Sequence, residues 1–181
     1  MKSSEELFEI YLQSVGRGAV LLLNVPPDRR GHINEHDILA LQGFKQILND
    51  EFSTNMMDGA KVRVSSVRGD SKTFDANQLI DNIDDTYWAT DDSITSGTIE
   101  IGLKNEHTIN YIVLHEYLHL GQRVKAFNIE VEKNDRWIRV ADATTMGVKR
   151  IIRIDKVVTG KIRVNITDAK ACLTVSGLEI Y

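Results

Sequence analysis

Leu79-Ile80-Asp81-Asn82-Ile83-Asp84-Asp85-Thr86-Tyr87-Trp88 is the stretch whose reading decides the fold. It sets the oxygen-bearing side chains of Asp81, Asp84, Asp85 and Thr86 between an apolar pair and two large aromatic residues. A polar loop flanked in this way is tied to a core at both ends. Carboxylate and hydroxyl oxygens suit calcium and not a thiolate metal. The spacing is not that of an EF-hand, since no glycine follows the acidic positions and no glutamate closes a twelve-residue ring. Other parts of the chain must complete a cation shell, and Ser176-Gly177-Leu178-Glu179-Ile180-Tyr181 offers one carboxylate within an alternating apolar run.

Outward from this loop the chain reads as short half-buried strands. Val62 and Val64 precede it, and Ile99, Ile101 and Leu103, then Ile109, Tyr111 and Val113, follow it with polar or small residues between. That alternation marks antiparallel strands with one face on a core. Phe127, Ile129 and Val131 lead through Lys133-Asn134-Asp135 to Trp137 and Ile138, a hairpin pattern. Val148, Ile151 and Ile154, then Ile162, Val164 and Ile166, then the run from Val175 to Tyr181 complete a set of about eight strands, which predicts a mainly β, jelly-roll β-sandwich.

Upstream the pattern differs. Residues 3–15 read as a helix that Ser3 or Ser4 can cap, with Glu5 and Glu6 at its positive end and Leu7, Ile10, Tyr11 and Ser14 on one face. Gly16 and Gly18 stop it. Residues 19–25 are apolar on both faces, the pattern of a strand buried between two layers of a parallel sheet, and Pro26-Pro27 ends the run. Asn34 can cap a second helix whose apolar stripe is Ile38, Leu41, Phe44, Ile47 and Leu48. Helix, doubly buried strand and helix make one piece of an α/β layered domain, and no other such unit follows. Residues 1–55 are therefore expected to be the end of a larger α/β domain, and residues 56–181 the sandwich.

Composition narrows the partners. The chain has 181 residues, 42% hydrophobic and 27% charged, with a formal charge of −4. The balance gives no reason to expect nucleic acid or an anionic membrane surface as partner. No run approaches a membrane span and the N-terminal residues lack the apolar segment of a signal peptide, so localisation is left unassigned. The single cysteine, Cys172, has no internal disulfide partner.

Several blocks carry a resemblance. Asp81, Thr86 and Trp88, with the terminal Leu178-Glu179-Ile180, resemble the galactose-binding-like, or discoidin and coagulation-factor type C, β-sandwich. The resemblance implies a structural calcium held by the side chains of Asp81, Thr86 and Glu179 and the main-chain oxygens of Gln78, Ile83 and Leu178. Asn82-Ile83 stand where that family usually has Gly-Asn. The run from Ser14 to Gly31, centred on Leu21-Leu22-Leu23-Asn24-Val25-Pro26-Pro27-Asp28, resembles the closing segment of the catalytic (β/α) barrel of family 29 α-L-fucosidases. Thr86-Tyr87-Trp88-Ala89-Thr90-Asp91-Asp92, Glu116-Tyr117-Leu118 with the run Leu120 to Phe127, Thr145 to Arg150, and Lys161 to Asp168 resemble the same enzymes in the same order.

That family hydrolyses terminal α-L-fucose with retention, using a nucleophilic Asp and an acid/base Glu that flank the glycosidic bond. The resemblance places both in barrel segments upstream of these blocks, so no catalytic residue is assigned and the chain by itself is expected to be inactive. Asn24 and Pro26-Pro27-Asp28 would lie at the C-terminal end of a barrel strand, where such barrels keep their active sites, with barrel closure as the simpler role. The implied function is that of the C-terminal part of an α-L-fucosidase, the sandwich being an accessory, carbohydrate-associated domain for fucosylated or galactosylated glycans. The expected protein partner is the rest of the barrel, or a second copy using the unpaired edges of residues 19–25. The alternative is a stand-alone carbohydrate-binding module without hydrolytic activity.

Three other features invite chemistry. His115-Glu116-Tyr117-Leu118-His119 matches the H-E-x-x-H zinc signature, which needs both imidazoles on one turn of a helix. Here the preceding residues read as a strand and Gly121 breaks the chain, so in an extended segment the two histidines stand about 13 Å apart, too far for one zinc. Trp88 and Trp137 can be sugar-stacking platforms or core packing. Lys149, Arg150 and Arg153, interleaved with Ile151 and Ile152, read as a solvated strand face.

Overall fold

Two strands of 20 residues, β3 (Gly97–Glu116) and β6 (Arg150–Ala169), form the spine of the sandwich. The structure is a computed structural model and describes residues 2–181. β3 and β6 pair antiparallel from Gly97 opposite Ile166 to Leu114 opposite Arg150. At about 3.3 Å per residue, 20 residues reach about 66 Å, roughly twice the breadth of a compact domain this long, so the pair must bend. Its register shifts between Gly102 and His107 and again between Ile109 and Tyr111. Sequence periodicity divides this pair into four strands, because alternation resumes after a bulge without showing that pairing runs through it. Among the described residues seven strands result where about eight are expected.

The halves of β3 serve different neighbours. β1 (Lys61–Val64) pairs with Ile99 to Gly102, whereas β7 (Thr174–Ile180) pairs with the stretch from Ile112 to Glu116. β4 (Val124–Lys133) lies along the far half of β6, β5 (Arg136–Ala143) along β4, and the two-residue β2 (Trp88–Ala89) along the start of β7. The order is β2-β7-β3-β6-β4-β5, with β1 attached to β3. Folded over, these strands bury Ile99, Ile112, Phe127, Ile129, Ile162, Val164 and Val175 in one apolar core. The β4–β5 hairpin turns at Asn134 and Asp135, both with positive φ (52° and 57°). This is the left-handed pair that matches strand twist, and it uses the residues best able to adopt it.

Trp88 is 0% exposed and donates from Nε1 to the Ser66 carbonyl (2.8 Å), so it is core packing and not a sugar platform. β3 begins against it. A Cβ on Gly97 would meet Ser65 Oγ at 2.9 Å, Leu173 Cδ1 at 3.0 Å and the Trp88 ring at 3.4 Å.

A second compact unit, ending at Thr54, holds α1 (Ser4–Ser14) and α2 (Glu35–Phe52). Ser3 and Glu6 form a reciprocal capping box on α1, and Asn34 caps α2. The two helices cross closely at Gly43, beside Ser4, whose hydroxyl donates to the Ala40 carbonyl (3.0 Å). Phe8, Tyr11, Phe44 and Phe52 pack between them, with ring centroids 6.1–6.4 Å apart. Of the α2 stripe expected from the sequence, Phe44 is buried and Ile38 is exposed.

Residues 19–25 form no strand, which corrects the sequence expectation. Val20 and Leu22 are 90% and 91% exposed. A strand that is apolar on both faces needs hydrogen-bonded neighbours on both edges and a layer over each face, and the described residues supply none of these. Among the described residues, no helix is long and apolar enough to cross a membrane.

Gly97→Ala is expected to lower unfolding stability by about 1–3 kcal/mol through overpacking. Gly102→Ala, whose added Cβ would come no nearer than 3.9 Å to the Lys61 carbonyl, is expected to be neutral or slightly stabilising. Urea unfolding of the two variants checks the contrast.

Candidate functional site

A cleft of about 450 Å³ opens between the 79–84 loop, the end of β3, residues 117–119 and the end of β7. Its floor is set by local chemistry. Ser71 and Asp75 cap two short 3₁₀ turns with their side chains, and Leu79 is buried at the end of the second. Asp81 Oδ1 then accepts from the Ile83 amide (2.9 Å), an Asx turn that here passes through a left-handed residue. Asn82 provides it with φ 58°, the conformation glycine would give in its place.

Of the six residues expected to hold calcium, the structure brings three together. Thr86 Oγ1 lies 2.7 Å from Asp81 Oδ2 and 2.9 Å from the Ile83 carbonyl. The Thr86 hydroxyl has one proton for these two acceptors, so three oxygens meet around a single hydrogen. Gln78 uses its side-chain amide on the Lys72 carbonyl, and Leu178 is a buried residue of β7 opposite Leu114. Glu179 Oε1 faces His115 Nε2 (3.0 Å), and Oε2 accepts from the Tyr181 hydroxyl (2.6 Å). Among the described residues, no group of three or more His, Cys, Asp or Glu could hold a metal ion. The expected calcium set has only two carboxylates, Asp81 and Glu179, its other donors being neutral oxygens.

His115 also places Nδ1 2.9 Å from the Val148 carbonyl, so both ring nitrogens face oxygen acceptors. The His115 hydrogen bond is the largest influence on Glu179. Burial opposes it, while the Tyr181 hydroxyl and the charges of His115 and Lys149 assist, and the carboxyl is held down to about 2 from an ordinary 4.5.

Glu116, the central residue of H-E-x-x-H, is 2% exposed and serves the backbone. One oxygen accepts from the main-chain N–H groups of Arg123 and Val124 (2.8 Å for Val124), and the other accepts from Gly147 N (3.2 Å). A buried carboxylate that satisfies three amides from two loops is a staple. His115 lies on β3, whereas His119 lies in an exposed 3₁₀ turn at residues 118–120 with its ring tilted at 41° to that of Tyr117 (centroids 5.2 Å apart). No helix carries the motif. Tyr117 in turn stacks on Tyr87 (4.2 Å, 17°), which meets Phe74 (5.3 Å), giving an aromatic row beside the cleft. Trp137 lies away from it under the Arg163 guanidinium (3.9 Å from the ring centroid), which also binds Glu100. One of its faces is therefore taken.

Residues 61–176 match the F5/8 type C domain. The chain belongs to the F5/8 type C domain family. In that family the sandwich is galactose-binding-like, which is the fold found here. Its homologues are α-L-fucosidases. α-L-Fucosidase 1 of Arabidopsis thaliana is 34% identical over 99% of this chain and 36% of its own length. A Ruminococcus gnavus GH29 fucosidase variant, solved in complex with fucose, is similar at TM-score 0.91 and 32% identity, over 99% of this chain and 37% of that one. The crystal structure of SpGH29 gives TM-score 0.92 and 36% identity over 99% of this chain and 39% of that one. This F5/8 type C chain thus spans little more than a third of the relatives it matches.

Glu116→Ala leaves three amides without an acceptor, at about 1–3 kcal/mol for each that stays unsatisfied, and is expected to cost several kcal/mol of stability. His119→Ala is expected to change it by less than about 0.5 kcal/mol. Thermal unfolding of both separates a staple from a metal-binding motif. For Glu179, a folded-state value below the ordinary one means that its contribution is complete above pH 4.5 and lost as pH falls toward 2. Acid titration of stability in chelated buffer is expected to be flatter across this window for Glu179→Gln than for the unaltered chain.

Proposed function

We propose that this chain acts as the C-terminal part of a GH29 α-L-fucosidase, its sandwich an accessory domain that contacts glycan. One observation carries the reading. Similarity to the fucosidases extends over 99% of the chain, whereas the F5/8 type C domain accounts for residues 61–176 alone. A free-standing carbohydrate-binding module would give no reason for residues before 61 to match these enzymes. Residues 1–55 are then the closing piece of the catalytic barrel. Residues 19–25, apolar and with Val20 and Leu22 in solvent, are a strand in waiting for the remaining barrel strands, with a second copy as substitute.

The cleft beside Tyr117 is the proposed glycan contact. It combines an aromatic row with the polar groups of Asn82, Asp84, Ser176 and His119, the mixture that fixes a polar ligand with an apolar face. Hydrolysis itself belongs to the barrel in this reading. Purified chain is expected to show no turnover of an aryl α-L-fucoside and saturable binding of fucosylated or galactosylated glycans. Inhibitor-sensitive turnover by the chain alone would overturn the accessory role.

We also propose that the 78–86 loop holds a structural calcium. The donor set fits in its loop half, where Asp81, Thr86 and the Ile83 carbonyl converge, and Gln78 and Leu178 would add main-chain oxygens. Glu179 would join from β7, each of its oxygens keeping a lone pair beyond the bond it accepts. Calcium would supply charge neutralisation and tie the loop to the last strand, with no part in bond cleavage. Chelation is expected to lower the melting temperature, since an ion at a hundred times its Kd adds about 2.7 kcal/mol. Asp81→Asn is expected to abolish that sensitivity.

A further inference from the structure

The turn that leads into β1 holds a reactive dipeptide. Asp58-Gly59 is the one Asp-Gly or Asn-Gly pair in the sequence. We propose that it is a site of spontaneous covalent modification, where the main chain reroutes through the Asp58 side chain and leaves a β-linked isoaspartate.

The chemistry needs no reactant but water. The Gly59 nitrogen attacks Asp58 Cγ, a C–N bond forms, and the carboxyl hydroxyl departs with the amide proton as water, closing a five-membered imide. Water then opens the ring. Attack at Cγ restores aspartate. Attack at the Asp58 main-chain carbonyl carbon breaks its bond to nitrogen, places the hydroxyl on that carbon and a proton on the nitrogen, and leaves the chain running through Cγ. Nothing is oxidised or reduced.

Local structure favours ring closure at this pair. Residues 57–60 form a turn closed by the Ala60 amide on the Met57 carbonyl (3.0 Å), with Asp58 and Gly59 at its centre. Gly59 has φ 71°, the left-handed value that a type II turn takes at its second central position. The peptide between the two central residues lies outside the turn's own hydrogen bond, and among the described residues no carbonyl accepts from Gly59 N. Both residues are exposed, and among the described residues no hydrogen bond or ion pair holds the Asp58 carboxyl. Glycine also has no Cβ to crowd the approach of its nitrogen to Cγ.

The two Asp-Ser pairs make the contrast. Ser71 N is committed to the Arg68 carbonyl (3.1 Å), which blocks Asp70-Ser71. In Asp92-Ser93 the Asp92 carboxyl, at a second cleft of about 280 Å³ that Arg123, Cys172 and Thr174 also line, is held by Arg68 (2.7 Å). Around Asp58 the anchors lie on either side of the turn instead. Met56 N donates to the Ile180 carbonyl (2.9 Å), the buried Met57 donates its amide to Asn55 Oδ1 (3.1 Å), and Lys61 is already opposite Gly102 in β3. A main chain lengthened by one atom between these anchors strains the start of β1, so the modified chain loses pairing at Lys61–Val64 first. The inference stands on the sandwich alone and does not depend on the fucosidase reading.

The test is prolonged incubation of the whole chain in heavy-oxygen water at neutral pH, followed by digestion and mass spectrometry with electron-transfer fragmentation. The peptide that contains Asp58-Gly59 is expected first in a form lighter by one water, then in a β-linked form that carries heavy oxygen at Asp58. Amide hydrogen exchange at residues 61–64 is expected to quicken in step. Asp58→Asn, whose side-chain amide leaves as ammonia through the same ring, is expected to convert faster. Asp58→Glu cannot close a five-membered ring and is expected to lose the conversion and keep β1 protected. An Asp58-Gly59 peptide that stays unlabelled while the Asp58→Asn chain converts overturns the proposal, as does conversion at Asp70 or Asp92 ahead of Asp58. An Asp58→Glu chain that loses protection at residues 61–64 as fast as the unaltered chain overturns it as well.

Discussion

Because β3 and β6 stay hydrogen-bonded through two changes of register, one strand pair supplies the frame for both layers. β1, β4 and β7 each attach to a different part of that frame, and the apolar core is what the folded-over pair encloses. The residues around the two clefts inherit their positions from it. His115 and Glu116 end β3, Glu179 lies on β7 opposite Val113, and Thr174 opens β7 where it meets β2. A shift in the central pairing would flip alternating side chains to the opposite face and scatter all of them.

Charge in the molecule is used mainly to hold backbone. Glu116 gathers amides from two loops, Asp81 closes a turn, and Asp75 and Ser71 cap short helical turns. Glu116, with both carboxylate oxygens engaged by amides, is spent on the fold and is not open to a metal or ligand. Separating structural from available polar groups in this way explains why the H-E-x-x-H string carries no zinc chemistry. Its glutamate is engaged and its second histidine is on a turn that no helix continues.

Much of the architecture could be read in advance from side-chain pattern. The helix caps at Ser3 and Asn34, the Asn134-Asp135 hairpin and the alternating strands all follow from short-range rules. What the pattern could not supply was connectivity across a bulge, so two long strands looked like four. Residues 19–25 looked doubly buried because an apolar run signals burial but does not provide a neighbour. In the loop, Asp81 and Thr86 were legible as a pair because they are five residues apart. The grouping of Arg68, Arg123 and Cys172 was not, since Arg68 and Cys172 are separated by 104 positions and no local signal marks the meeting.

The Glu116 staple bears on how either cleft could be redesigned. Residues 117–123 form the partition between the two, and their far end is fastened through one carboxylate that also fastens Gly147. A graft that exchanges this partition alone would discard half of its anchorage. Glu116, the segment to Val124 and the turn at Gly147 form a single transplantable cassette, and variation in ligand preference among engineered versions should be sought by moving all three together.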